Sequence, residues 1–189
     1  TTPALPAARP REPLILYVGS LFNRRHVPEL IAGFSRLAAR HGDARLEIVG
    51  DNRTRPPIDV GAIAARSPAR DRIRIRAYVA DGELAALYAR ASAFAFLSSY
   101  EGFAMTPLEA LGEGGPCLLL DTEVAREIYG PAALYVERPD PAAIDAALDA
   151  LLFDSGTRRR LADAAGGQMA RYSWRECAQR TLQVLLASA

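Results

Sequence analysis

The sequence predicts an α/β fold: a Rossmann-like parallel sheet of about six strands with helices on both faces and a helical C-terminal tail. Three observations predict it. Short apolar runs alternate with stretches of helical periodicity. Several of the runs are apolar at consecutive positions, as in strands that are covered on both faces. After the last run, only helical patterns follow. Strands that alternate with helices form right-handed βαβ units and a parallel sheet.

The strands and the first helices follow from periodicity. The predicted strands are 14–18, 46–49, 73–75, 93–97, 117–120 and 133–136. Apolar residues spaced i, i+3, i+4, i+7 between Val27 and Leu37 predict a helix after the first strand. The same spacing between Leu84 and Ala91 predicts a helix with Asp81 as its N-cap.

Local capping signals set the later helix starts. Thr106-Pro107 and Asp140-Pro141 each join a capping residue to a proline at the first helical position. Ser173 begins a capping box for the last helix. The tail is predicted to form helices over about 142–153, 155–172 and 174–187. The last helix is expected to bury four residues: Trp174, Cys177, Val184 and Leu185.

Composition limits the domain count and the partners. A chain of 189 residues with 50% hydrophobic content supports one full core. No apolar run approaches the ~20 residues that span a bilayer. A net charge of +1 gives no argument for nucleic acid or anionic lipid, so no nucleic-acid partner is expected. Residues 1–12 are predicted to be a linker or a cut edge of a longer chain, which implies a preceding domain, and 13–189 the domain itself.

Cysteines and histidines give no metal-binding signal. Cys117 and Cys177 lack metal-ligand spacing, and Cys117 lies in an apolar run that predicts a buried core residue. His26 and His41 stand apart from any cluster of ligands. No metal is therefore expected, and the cysteine usage fits a reducing compartment.

Candidate site residues follow the strands, because open parallel sheets bind ligands beyond the carboxyl ends of their strands. After the first strand, Arg24 and Arg25 precede a predicted helix, an arrangement that suits a phosphate. A solvated surface pair is the alternative. The absence of G-x-G-x-x-G argues against a dinucleotide-binding dehydrogenase. The arginines alternating over 70–76 favour an outer strand with one wet face over a nucleic-acid stripe.

Two acids follow the fourth strand. Glu101 and Glu109 flank a glycine-containing turn that opens onto a predicted helix N-terminus, where carboxylates can accept sugar hydroxyls and backbone N–H groups can receive a phosphate. Each acid has a structural alternative. Glu101 can be an exposed loop acid, and Glu109 can complete a capping box with Thr106.

The stretch 101–110 reads Glu-Gly-Phe-Ala-Met-Thr-Pro-Leu-Glu-Ala. It resembles the hallmark of the retaining glycosyltransferases of group 1, family four, which have the GT-B fold: two glutamates with seven residues between them. Further motifs of that family appear in the right order at 16–21, 46–51, 78–88 and 114–117. The resemblance covers about residues 14–140 and is to the C-terminal, donor-binding half of such enzymes.

The resemblance implies a site for a nucleotide diphosphate sugar of the UDP, GDP or ADP type, with no cofactor or metal. It implies that Glu109 holds the ribose hydroxyls and Glu101 the transferred sugar. Arg25 falls where the family has a lysine facing the diphosphate, so Glu101 and Arg25 are the candidate catalytic residues. The remaining implied donor contacts are Ser20, Arg24, Tyr78, Val79, Gly102, Phe103 and Ala104.

Three positions depart from the family pattern. Ser20 replaces a phosphate-binding arginine, Ala77 a glycine before the base-side turn, and Ala104 the second glycine of the motif. These departures leave alternatives open: a non-catalytic nucleotide-binding module with a decayed site, or a GT-B relative such as a sugar-nucleotide epimerase or a starch or glycogen synthase.

The resemblance also implies what surrounds this domain. An N-terminal acceptor domain is expected to be missing, and the isolated domain to catalyse little or nothing. A cytoplasmic location is expected, with peripheral contact at the inner membrane face only through the missing half. The sequence does not predict the base, the sugar, the acceptor or the oligomeric state.

Overall fold

The computed structural model describes residues 11–188. They form one parallel sheet of six strands in the order β3-β2-β1-β4-β5-β6. The strands are β1 Glu12–Val18, β2 Arg45–Val49, β3 Ile73–Arg76, β4 Ala91–Phe96, β5 Cys117–Leu120 and β6 Ala133–Val136. Each confirms a predicted strand to within two residues at either end. Consecutive burial along 14–18 shows that helices cover both faces of the central strands.

Eight α-helices connect and follow the strands in the described range. They are α1 Val27–Arg40, α2 Val60–Arg66, α3 Asp81–Arg90, α4 Met105–Gly112, α5 Glu123–Tyr129, α6 Pro141–Phe153, α7 Ser155–Met169 and α8 Trp174–Ala187. The sequence does not predict α2 and α5. Each has seven residues and buries only two of them, too few to show a helical period.

The strand order places a switch point between β1 and β4. From β1 the chain adds β2 and then β3 on one side, whereas β4, β5 and β6 extend the sheet on the other. The connections that follow β1 and β4 therefore lead to opposite sides of the sheet and leave a crevice at the carboxyl ends of these neighbouring strands. The alternating arginines lie on or just before edge strand β3, with Arg74 exposed while Ile73 and Ile75 pack against the core.

Two predicted helix starts are confirmed. Asp140 caps α6 by accepting hydrogen bonds from the backbone N–H groups of Ala142 and Ala143, at 3.0 and 2.9 Å. Ser173 caps α8 through the N–H of Glu176 at 3.4 Å. The Glu176 side chain pairs with Arg180 rather than returning to the cap, so only half of the predicted capping box forms.

Two other predicted starts are wrong. Asp81 is the first residue of α3, and Ala80 is its N-cap. Helix α4 begins at Met105, so Thr106 lies inside the helix and caps nothing. The reason is Ala104, whose left-handed backbone conformation turns the chain into the helix two residues earlier than predicted.

The predicted burial of Trp174, Cys177, Val184 and Leu185 is wrong. No residue of α8 is buried among residues 11–188, and Trp174 is 76% exposed. The apolar spacing predicts an amphipathic helix, which α8 is, but spacing does not say what the apolar face packs against. Cys117, by contrast, is fully buried as predicted.

The predicted linker lies mostly outside the described residues, which exclude 1–10. Its last two residues belong to the folded domain. Glu12 is the first residue of β1, and the Arg11 guanidinium donates to the backbone carbonyls of Tyr88, Ala91 and Glu113. Between residues 11 and 188, no helix combines the length and apolarity of a membrane span.

Candidate functional site

The loops after β1 and β4 meet at the switch point. The backbone N–H and the hydroxyl of Ser99 both donate to the Arg24 carbonyl oxygen, at 2.9 and 3.2 Å. These bonds join the two loops into one wall of the crevice. Ser20, Arg24 and Arg25, which follow β1, are thereby brought together with Glu101, which follows β4.

Arg25 and Glu101 form an ion pair in this wall. The Nε atom of Arg25 lies 2.7 Å from Oε1 of Glu101, and their side chains are only 13% and 17% exposed. The hydroxyl of buried Ser98 donates to the same oxygen at 2.9 Å. Arg25 also donates from Nη1 to the Ser20 carbonyl oxygen at 2.8 Å. The pair is therefore fixed by charge-assisted hydrogen bonds from both loops.

The contacts keep both groups of the pair charged. Burial raises the pKa of Glu101, but hydrogen bonds from Arg25 and Ser98 outweigh it, and the pKa falls below its ordinary value. Burial lowers the pKa of Arg25, but the hydrogen bond to Glu101 and the interactions with the Glu101 charge and with Tyr17 together outweigh burial, so this pKa rises. Glu101 is accordingly an acceptor at neutral pH, and Arg25 is a cation.

The space for the Arg25 guanidinium depends on Gly19. A Cβ at that position would lie 2.8 Å from Nη1 of Arg25. The guanidinium carbon also lies 4.8 Å from the ring centre of Phe96, within range of a cation–π interaction. The guanidinium is thus packed against both the Gly19 backbone and the Phe96 ring.

Arg24 is the more exposed arginine. Its Nε donates to the Tyr100 carbonyl oxygen at 2.9 Å, and Nη2 lies 3.8 Å from Oε1 of Glu101. Its side chain is 37% exposed, and its guanidinium carbon lies 4.3 Å from the Phe22 ring centre. Arg24 therefore adds positive charge at the mouth of the crevice without a direct hydrogen bond to the carboxylate.

The turn before α4 contains the central part of the 101–110 motif. Gly102 is exposed, and a Cβ there would meet nothing within 4 Å. Phe103 packs edge-on against Tyr172, with ring centres 5.1 Å apart. Ala104 has φ 65° and is the N-cap of α4, and its carbonyl accepts a hydrogen bond from the Tyr129 hydroxyl. The first N–H groups of α4 open directly onto this turn.

Replacing Ala104 with glycine is expected to raise the free energy of unfolding by about 1 kcal/mol, because a left-handed non-glycine residue carries roughly that much strain. Urea denaturation measures the change. The matched control is Ala86→Gly, an exposed position inside α3, which should lower stability by about 1 kcal/mol. Equal losses in both variants would show that residue 104 is not strained.

Glu109 stands apart from the ion pair. It is exposed on α4, and its Oε2 accepts a hydrogen bond from the Tyr88 hydroxyl at 2.9 Å. The capping-box alternative for this residue is wrong, because Thr106 is not the N-cap. The predicted base-side residues follow β3, two strands from β1. Tyr78 is 77% exposed and Val79 is buried, and among residues 11–188 neither side chain bonds to Arg25 or Glu101.

Sequence reasoning misses two polar groups of the site. Ser98 lies at the end of an apolar run, and its burial beside Glu101 has no local signal. Tyr88 occupies an apolar position of the α3 period, which predicts its buried ring but not the destination of its hydroxyl.

Comparison with known proteins finds similarity to glycosyltransferases in both a family model and individual sequences. A family model described as Glycosyl transferases group 1 matches residues 4–167. The O-antigen chain mannosyltransferase B of Escherichia coli is 29% identical over 168 residues, 88% of this chain and 44% of that protein. The D-inositol 3-phosphate glycosyltransferase of Xylanimonas cellulosilytica is 31% identical over 179 residues, 91% of this chain and 42% of that protein. The chain spans less than half the length of these relatives.

Solved structures confirm the fold. One is the C-terminal domain of a glycosyl transferase group 1 family protein (LpcC) from Francisella tularensis, with a TM-score of 0.73 and 20% identity. The match covers 86% of each chain. The predicted fold class, the C-terminal half of a GT-B fold, is thereby confirmed.

Proposed function

This chain belongs to the glycosyl transferases group 1 family, and on that premise we propose that it is the donor-binding half of a glycosyltransferase. The enzyme moves a sugar from a nucleotide diphosphate sugar to an acceptor hydroxyl and retains the anomeric configuration. One observation carries the proposal: Arg25, Glu101 and the start of α4 converge at the switch point between β1 and β4.

Arg25 and the start of α4 bind the diphosphate in this proposal. A guanidinium has five N–H donors. Arg25 gives Nε to Glu101 and Nη1 to the Ser20 carbonyl, and its Nη2 makes no hydrogen bond to residues 11–188. Nη2 and the first N–H groups of α4 are then donors for phosphate oxygens. As the glycosidic bond breaks, negative charge grows on the leaving phosphate, and these fixed donors stabilise it. No metal ion is required in this scheme.

The two glutamates bind the donor's hydroxyl groups. Oε1 of Glu101 is occupied by Arg25 and Ser98, whereas Oε2 takes no hydrogen bond from residues 11–188 and can accept one from the transferred sugar. Glu109 accepts the ribose hydroxyls. Ser20, Arg24, Tyr78, Val79 and the turn residues Gly102, Phe103 and Ala104 complete the proposed donor contacts.

Transfer itself requires an acceptor half in this proposal. The curated relatives are more than twice as long as their matched segments, which supports a second domain in the whole enzyme. We place that enzyme in the cytoplasm, with any contact to the inner membrane made through the acceptor half. The 189-residue chain should bind a donor nucleotide and transfer no sugar. Detectable transfer by this chain alone would contradict the second expectation.

Melting temperatures in the presence of UDP, GDP, ADP and their sugars test the donor site. A nucleotide at 100 times its Kd should stabilise the chain by about 2.7 kcal/mol. Glu109→Ala is expected to abolish most of this shift, whereas Glu127→Ala, at an exposed glutamate on α5, should keep it. If none of the nucleotides shifts the wild type, the proposal fails, and the chain is better described as a module with a decayed site.

A further inference from the structure

We propose that Tyr88 is a positioning residue for Glu109. Its hydroxyl holds one carboxylate oxygen of Glu109 and so presents the other to a ribose hydroxyl of the donor. This inference rests on the proposed function, because it assigns the cause of Glu109's orientation within that same site.

The core fixes the position of the Tyr88 ring. Tyr88 lies in the last turn of α3, is 6% exposed, and packs against Phe94 of β4 with ring centres 5.8 Å apart. The hydroxyl reaches α4, where it lies 2.9 Å from Oε2 of Glu109. Its next acceptor, the Thr106 carbonyl oxygen, is more distant at 3.5 Å. A core-anchored ring therefore brings a rigid donor to an exposed carboxylate.

The hydrogen bond from Tyr88 leaves the charge and one oxygen of Glu109 available to a ligand. Among residues 11–188, Glu109 forms no ion pair, and Oε1 accepts no hydrogen bond. Glu101 is different, because the Arg25 guanidinium neutralises it. A neutral phenol orients the Glu109 carboxylate without cancelling its charge. Since an exposed glutamate otherwise samples several rotamers, orienting it in advance reduces the entropy lost on binding.

The Tyr88 phenol keeps its proton at neutral pH. Burial and the neighbouring charge of Glu109 raise the pKa of Tyr88 well above its ordinary value. The hydroxyl is therefore a permanent hydrogen-bond donor to the carboxylate. A phenylalanine would fill the same space and supply no donor, so Tyr88→Phe separates the hydroxyl from the packing of the ring.

Tyr88→Phe is expected to weaken binding of UDP, GDP or ADP, whichever binds the wild type, by about tenfold in calorimetric titration. Tyr135→Phe is the matched control. Its hydroxyl donates to the Gly130 carbonyl oxygen at 2.8 Å, so the variant also loses a part-buried hydrogen bond, but away from Glu109. The control should bind as tightly as the wild type. Equal weakening in both variants would contradict the proposal.

Two further measurements distinguish positioning from a structural effect. In a Glu109→Ala background, Tyr88→Phe should cause no additional loss of affinity. The tenfold difference should also disappear with the 2′,3′-dideoxy form of the same nucleotide, which lacks the ribose hydroxyls. A general loosening of α3 and α4 would weaken binding in every one of these comparisons, and that result would overturn the proposal.

The proposed function and this inference can fail separately. If the wild type binds no nucleotide, the proposed function fails first. The urea midpoints of Tyr88→Phe, Glu109→Ala and the double variant then still report on the Tyr88–Glu109 contact. Non-additive midpoint changes show that the hydroxyl holds the carboxylate in the free chain. Additive changes overturn the inference.

Discussion

Replacing Arg25 with methionine is expected to weaken nucleoside diphosphate binding by roughly 100-fold, which is about 2.7 kcal/mol. Methionine keeps much of the side-chain volume and deletes the charge. The loss exceeds that of one ligand contact, because Glu101 keeps its charge while its strongest partner disappears. An unpaired carboxylate that is only 17% exposed then faces the diphosphate and repels it. Calorimetric titration measures the affinity.

Arg24→Met and Arg25→Lys are the matched controls for this prediction. Arg24 is more exposed and lies 3.8 Å from Glu101, so its removal should reduce affinity less than tenfold. Lysine at position 25 keeps the charge but lacks the planar guanidinium that bonds Glu101 and the Ser20 carbonyl at the same time, so this variant should bind nucleotide with an affinity between those of Arg25→Met and the wild type. A large loss in Arg24→Met with none in Arg25→Met would assign the diphosphate to Arg24 instead.

The cost of leaving the Glu101 carboxylate unpaired in Arg25→Met can be measured separately. Arg25→Met should also lower the free energy of unfolding, since it strands a largely buried charge. Adding Glu101→Gln to that variant removes the charge, so it should restore part of the lost stability and the part of the lost nucleotide affinity that repulsion caused. If stability does not recover, the penalty arises from lost packing against Phe96 rather than from the stranded charge.

The sheet and the position of the site could be predicted because their signals are local. Consecutive apolar residues identify buried parallel strands, and the carboxyl ends of those strands say where ligands bind. Local signals do not predict which loops contact each other. Arg25 and Glu101 are 76 positions apart, and their contact depends on β1 lying beside β4. The periodicity of apolar residues does not predict the order of the strands in the sheet. Only the family resemblance therefore implied that both residues belong to one site.

The errors come from tertiary contacts that override local patterns. Thr106-Pro107 is a good capping sequence, but Ala104 takes the cap position in a left-handed conformation. The Tyr129 hydroxyl, 25 positions away, holds the carbonyl of that residue. Helix α8 has the predicted amphipathic pattern and ends, yet its apolar side chains remain exposed. Periodicity identifies an apolar face and cannot identify its partner.

Gly50→Ala is expected to lower the free energy of unfolding by about 3 kcal/mol, more than most single substitutions. Gly50 has φ 154°, a conformation that is essentially restricted to glycine. A Cβ there would lie 2.0 Å from the carbonyl oxygen of Gly19 and 2.5 Å from its carbonyl carbon. Both are backbone atoms, so the collision cannot be relieved by a change of rotamer. Urea denaturation measures the loss.

Gly50→Ala should also weaken nucleotide binding at the donor site, although residue 50 itself contacts no proposed ligand. The N–H of Gly19 donates to the Val49 carbonyl at 2.9 Å, which fixes the turn whose Ser20 carbonyl holds Arg25. Displacing that turn should therefore reduce nucleotide affinity as well as stability. Gly42→Ala is the matched control, because a Cβ there meets nothing within 4 Å and should leave both quantities nearly unchanged. If Gly50→Ala behaved like Gly42→Ala, the close approach of the first two strand ends would not be what positions Arg25.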